Sequence, residues 1–207
     1  SSFELNLKGG KRVLISQSTF ANINQAEKSK YSLFINITDS SICLLSDAFA
    51  NITQKPMSSF RLSSNLNNNN NIIFQANSIK NVVQDFKSSF EVNIQKANGV
   101  KLESSSIGWV NQSRESTFEI TSTQTRSYFR VASNAIKQFR QGDRSVLNLS
   151  AYSTSKKSEK ALFKQDTNPF DTFTSHPNAD LIYNFSPSKN SSHSFSFNLL
   201  TIYKSHK

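Results

Sequence analysis

Cysteine, histidine and long apolar runs are scarce in this 207-residue chain. The lone cysteine, Cys43, permits no internal disulfide, and its place between Ile42 and Leu44 predicts an outward side chain. The three histidines, His176, His193 and His206, have no i, i+4 pairing and no cysteine partner, so no metal site is indicated. No stretch approaches the roughly eighteen consecutive apolar residues of a membrane span, and no charged-then-apolar signal segment opens the chain. There is no G-x-S-x-G elbow for a serine nucleophile. The K-G-G-K at 8–11 lacks phosphate-loop spacing, and its glycines supply a turn. Nothing implies a cofactor. Helical periodicity is also missing: the apolar runs are short, β-branched and aromatic, broken by serine and asparagine clusters.

What is present is repetition. Phe20, Phe49, Ile79, Ile107, Ile136, Phe170 and Leu200 each have an apolar or aromatic residue three positions on, namely Ile23, Ile52, Val82, Val110, Phe139, Phe173 and Tyr203. The steps between these anchors are 29, 30, 28, 29, 34 and 30 residues, which predicts a solenoid. Seven before each anchor stand Val13, Ile42, Ile72, Val100, Phe129, Phe163 and His193, and five before it Ile15, Leu44, Phe74, Leu102, Val131, Gln165 and Phe195. That alternation predicts a short strand before every anchor. A second strand per unit is expected at 3–7, 33–37, 60–64, 90–94, 118–122, 146–150 and 181–185.

Two polar registers accompany the anchors. Two residues before them come Ser18, Asp47, Asn77, Ser105, Asn134, Asn168 and Asn198, all able to bond to a neighbouring turn. Five residues after come Gln25, Gln54, Gln84, Gln112 and Gln141, and identical amides at one register suggest ladders with a repeat of roughly 4.8 Å. On this coil pattern and the seven polar positions, the whole chain resembles the right-handed parallel β-helix proteins of the pectin lyase-like architecture. The resemblance implies an all-β solenoid of about seven coils, roughly 29 residues each, with an asparagine ladder lining a turn. It leaves function open, because that architecture serves enzymes and surface proteins alike.

One domain suffices. Coils over 1–150 are regular; those over 151–207 are less so, with a polar loop expected near 153–160 (STSKKSEK) and a turn starting at Asn168 and Pro169. The run N-L-N-N-N-N-N at 65–71 is expected to be a loop between two strands of one coil. Because Ser1 falls inside a coil and is not a methionine, a mature or partial segment of a longer protein is expected.

Twenty-four Lys and Arg against fourteen Asp and Glu give a net charge of +10, which favours acidic partners. Lys101, Arg130 and Lys164 come from successive coils at one outward register and form a candidate polyanion-binding stripe, with Glu103 and Asp166 available to neutralise it. Nucleic acid is not the expected partner, since the basic residues are not interleaved with exposed aromatics and no recognition helix is visible. The best catalytic constellation is Glu91 beside Glu119 with Arg61 one coil earlier, weighed against a solvent-facing cluster paired to Arg61. Trp109, two after an anchor, is expected to pack at a corner. Glycosylation sequons occur at Asn36, Asn51, Asn111, Asn148, Asn184 and Asn190, about as many as the 23 Asn and 49 Ser plus Thr give by chance, roughly five.

The expected function is therefore a non-catalytic structural component of an extracellular or cell-surface assembly: a fibre, coat or adhesin-like scaffold. Its partners would be other subunits or further coils of the same polypeptide. The alternatives are a binding module for acidic glycans using the basic stripe, and a polysaccharide lyase or hydrolase using Glu91, Glu119 and Arg61.

Overall fold

The computed structural model describes residues 2–8, 12–16, 19–38, 41–67, 71–153, 162–165, 169–186 and 192–194. They form an all-β parallel solenoid without helices. The first coil holds β1 (Ser2–Lys8), β2 (Arg12–Ile15) and β3 (Phe20–Gln25). The second holds β4 (Lys30–Thr38), β5 (Ser41–Leu44) and β6 (Phe49–Gln54), and the third β7 (Ser59–Asn67), β8 (Asn71–Phe74) and β9 (Ile79–Gln84). In the next two coils the first pair of strands fuses, giving β10 (Ser89–Leu102) with β11 (Ile107–Gln112), then β12 (Thr117–Val131) with β13 (Ile136–Gln141). After these come β14 (Val146–Ser153), β15 (Leu162–Gln165), β16 (Phe170–Ser175), β17 (Asp180–Ser186) and β18 (Ser192–Ser194).

Each strand pairs in parallel with its equivalent one coil away, and three faces result. The first runs β1-β4-β7-β10-β12-β14-β17 and the third β16-β13-β11-β9-β6-β3. The second joins β2, β5 and β8 to the C-terminal part of β10, and β15 and β18 to that of β12. Alternation within each strand sends one side chain in two to the interior, where like stacks on like. Tyr31, Phe60, Phe90 and Phe118 form one column with ring centroids 5.2, 4.9 and 4.9 Å apart and planes within 7° of parallel. Burying each such ring contributes on the order of 2–3 kcal/mol, so the column is a principal source of stability.

Seven strands stack on the first face, yet the fully closed interior amounts to about four turns, fewer than the seven coils expected. From Leu33 in β4 to β13 the inward apolar residues are buried, whereas Val13, Phe20, Ile23 and Tyr31 towards one end and Phe170, Phe173 and Leu181 towards the other are only half-buried. An interior side chain is covered by the coils above and below it, and coils towards either end have less of that cover.

Corners are built by backbone geometry. Four-residue turns at 45–48, 75–78, 103–106 and 132–135 join the second face to the third, and those at 26–29, 55–58, 85–88, 113–116 and 142–145 join the third to the next coil. In each turn the third residue has positive φ: Asp47, Asn77, Ser105 and Asn134 in the former set, Lys28, Met57, Lys87, Glu115 and Arg144 in the latter. The fourth N–H closes on the first carbonyl, as from Ala48 to Leu45 at 3.2 Å and from Ser88 to Asp85 at 3.1 Å.

A third left-handed column explains the anchors' spacing of three. Asn22, Asn51, Asn81, Trp109, Gln138 and Thr172 all have φ between 53° and 57° and are skipped in the ladder pairing of the third face. Strict alternation would send residues three apart to opposite sides. The inserted left-handed residue resets the period, so Ile107 and Val110 both face inward at 0% and 1% exposure.

Two expectations need correction. Asn65 and Asn67 belong to β7 and Asn71 to β8, so strand replaces most of the expected loop. Ser153 closes β14, and 154–160 lie outside the described residues, as do Asn168, Leu200 and Tyr203. Cys43 points outward by alternation but is 1% exposed. It stacks between the larger side chains Leu14 and Ile73 of the adjoining coils, and they cover it.

Candidate ligand groove on the third face

The third face carries two amide columns, one turned inward and one outward, with different fates. The inner one lies at the corner: Nε2 of Gln54 donates to Oε1 of Gln25 at 2.9 Å, Gln84 to Gln54 at 3.1 Å and Gln112 to Gln84 at 3.2 Å. The same nitrogens reach the carbonyls of Ser89, Thr117 and Val146 on the next coil, and that of Gln141 reaches Asp180. These five glutamines are buried. A buried primary amide needs its donors and acceptor satisfied, and from Gln25 to Gln112 a copy one strand away supplies a partner, while Oε1 of Gln112 and of Gln141 have none.

The column two before the anchors behaves otherwise. Through Asp47, Asn77, Ser105 and Asn134 the bonds run backbone to backbone: Asp47 N–H to Asn77 O at 2.8 Å, Asn77 to Ser105 at 2.6 Å and Ser105 to Asn134 at 2.7 Å. These small polar residues are there because they tolerate positive φ at the turn, which corrects the expectation of a side-chain ladder. Ser18, Asn168 and Asn198 lie outside the described residues.

An asparagine ladder does exist, two residues after the anchors. Nδ2 of Asn51 donates to Oδ1 of Asn22 at 3.1 Å, and Nδ2 of Asn81 to Oδ1 of Asn51 at 2.9 Å. The next residue in the column is Trp109, and there the ladder stops. Beyond it, Oε1 of Gln138 is shielded and has no hydrogen-bond partner. Trp109 is 57% exposed, which corrects the expectation that it packs at a corner. Its left-handed backbone sends the ring outward rather than into the core.

Trp109 stands in an open groove of about 550 Å3. Asn81 and Gln138 flank it along the stack, and Val83, Asn111 and Arg140 form the neighbouring outward column. Thr172 and Thr174 extend the polar lining into the sixth coil. The lining holds one cation, Arg140, and no carboxylate. Arg140 is exposed, and among the described residues it forms no ion pair. Alignment of the sequence two after the anchors would have found this place, because an aromatic residue interrupts a run of three asparagines.

The basic stripe occupies the second face. Lys101, Arg130 and Lys164 are stacked in register. Nζ of Lys101 is 2.7 Å from Oε1 of Glu103, so part of its charge is neutralised on the surface. Toward the N-terminus the same column continues as Ile73, Cys43 and Leu14, so the positive charge spans only its later coils. A smaller groove of about 180 Å3 lies beside Lys101, between Ile73, Gly99 and Tyr128. Asp166 is outside the described residues.

On the first face the structure brings Arg61, Glu91 and Glu119 together in one register. Arg61 binds Glu91, with Nε 2.8 Å and Nη2 2.6 Å from the same Oε2. Glu119 is partly buried; desolvation and then the Glu91 charge raise its pKa, while Arg61 lowers it. Neither groove touches these acids.

Of the sequons, Asn51 and Asn111 are exposed, Asn36 and Asn148 are half-buried, and Oδ1 of Asn148 accepts from Ser150 at 2.6 Å. Asn190, His206 and the side chains of Asn184 and His193 fall outside the described residues. Nδ1 of His176 lies 3.3 Å from Asp143 in a corner network of Arg114, Glu115, Asp143 and Arg144.

No family model matches the chain, and no curated protein or solved structure matches it either. The site therefore rests on its own geometry.

Proposed function

We propose that the chain is a non-catalytic scaffold segment, a right-handed solenoid of the pectin lyase-like type, serving in an extracellular or cell-surface assembly. One observation carries this reading: the recurring polar and aromatic residues are spent on bonds and stacks from coil to coil, the buried glutamine ladder above all. Right-handed crossovers between parallel strands are the rule in roughly 98% of cases, which supports the handedness. At one end β1, β2 and β3 each have a second edge with no partner among the described residues. Further coils or another subunit would add there by the same main-chain bonds.

Catalysis by the stacked acids is not favoured. Glu91 is held by Arg61, and neither of the two grooves described above reaches the pair. Sedimentation over a hundredfold range of concentration, with electron microscopy, should give rods lengthened end to end. Incubation with acidic and neutral polysaccharides should release no reducing or unsaturated ends. Release that disappears in Glu119→Gln would overturn the scaffold reading, as would a particle that never lengthens.

A binding module for acidic glycans is the second reading. It is favoured by the excess of positive charge and by a groove whose one charged residue is an arginine.

A further inference from the structure

We infer that the Trp109 groove is a binding site for an acidic oligosaccharide, laid along the solenoid axis across the third to sixth coils. The inference does not rest on the scaffold reading, because it concerns one face and needs no assembly.

The first support is that Trp109 departs from the three asparagines that precede it in its column. A left-handed backbone disfavours a bulky side chain, costing roughly 1–2 kcal/mol, and asparagine tolerates it best. At 109 the chain forgoes an amide that would continue the Asn22, Asn51 and Asn81 ladder by donating to Oδ1 of Asn81. The ring gains little burial in return. A residue that gives up propensity, a ladder bond and burial together is explained by something that covers it.

The second support is the chemistry of what surrounds the ring. A pyranose presents a flat face of C–H bonds, which packs on an indole face, and a rim of hydroxyls, which pair with amides. The amides of Asn81, Asn111 and Gln138 line the groove with the ring. Arg140 adds a planar cation that accepts a carboxylate in two-point fashion, and no acid in the lining competes for it. Because equivalent side chains repeat at one strand spacing of roughly 4.8 Å, the groove is elongated along the stack. Charge and shape together select a chain of uronic-acid-like sugars over a compact, neutral or cationic ligand.

Trp109 is the only tryptophan in the chain, so its emission reports this groove and nothing else. The protein, made in a host that does not glycosylate so that Asn111 is bare, is titrated with a β-1,4-linked mannuronate hexamer and with β-1,4-mannohexaose, which has the same rings without carboxylates. The acidic hexamer should shift and saturate the emission, with half-saturation near or below about 1 mM. The neutral hexamer, and the acidic one on Arg140→Gln, should bind at least about tenfold more weakly. By calorimetry Trp109→Asn should lose the binding while its melting temperature is unchanged or higher. Lys101→Gln on the second face should bind as the parent does.

Failure of both hexamers to alter the emission up to about 10 mM overturns the site. Equal affinity for the two hexamers, or an unaffected Arg140→Gln, overturns its acidic class. Loss of binding in Lys101→Gln but not in Arg140→Gln moves the ligand to the second face and overturns the inference. A bare protein that is silent, beside a glycosylated one whose Asn111 sugar shifts the emission, would make the groove the seat of the chain's own glycan and overturn it as well.

Discussion

Two amide columns run side by side along the third face, and they differ in what they tolerate. The five glutamines at the corner are buried, and the first four are joined from coil to coil. The asparagines three residues earlier in each coil are outward, bonded over three coils, and then replaced by tryptophan, glutamine and threonine. Burial makes the difference. A missing partner inside costs a desolvated donor or acceptor, roughly 1–3 kcal/mol, while outside water takes its place. The same physics that fixes the inner column frees the outer one for a ligand.

Removing a rung from each column is the most direct way to test this. Gln84→Leu strips Oε1 of Gln54 of its donor and takes from Gln112 its side-chain acceptor, leaving that amide only backbone carbonyls. It should cost about 3 kcal/mol in urea denaturation, and a loss below about 1 kcal/mol would mean the inner ladder carries no more weight than the outer. Asn81→Ala removes an exposed bond of 2.9 Å and replaces an asparagine, which tolerates left-handed backbone, by a residue that tolerates it less. About 1.5 kcal/mol is expected, measured the same way. Trp109→Asn sharpens the contrast from the other side: rebuilding the outer ladder should raise stability by about 0.5–1 kcal/mol, and a destabilised variant would show that the ring packs for structure.

The smallest effect belongs to the first face. The Glu119 carboxyl titrates above its ordinary value of 4.5 in the folded protein, chiefly through desolvation, so between these two values the folded state binds more protons than the unfolded. Stability should therefore fall as pH rises through that window, by less than about 1 kcal/mol for a partly exposed group. Urea midpoints of the protein and of Glu119→Gln, compared from pH 4 upward, should diverge in that direction, the variant keeping its stability; parallel curves would remove the effect.

The parallel solenoid and its spacing of about 29 residues were legible in the sequence because burial repeats. Phe60, Phe90 and Phe118 have to be aromatic for the stack, and Gln54, Gln84 and Gln112 have to be alike to satisfy one another. Backbone dihedrals leave a weaker trace. Asn77 and Asn134 serve positive φ at a corner, Asn51 and Asn81 serve positive φ in a strand and also form a ladder, and composition alone does not separate these uses. Cys43 faces outward as alternation predicts, yet it is 1% exposed, because alternation gives direction but not cover. Trp109 was misjudged for the related reason that an anchor spacing of three conceals the left-handed residue between.

The corner turns have a consequence for how such a chain folds. Residues such as Met57, Lys87 and Glu115 have no local preference for the left-handed geometry they adopt, and each is held by its N–H bonding to a carbonyl of the next coil. Turning the corner and docking the coil are thus a single event, so a lone coil has no reason to form and nucleation requires at least a pair. Once that pair exists, every added coil makes contacts about one repeat back along the chain, whatever the length of the array, and growth proceeds like a zipper without a rising entropic penalty.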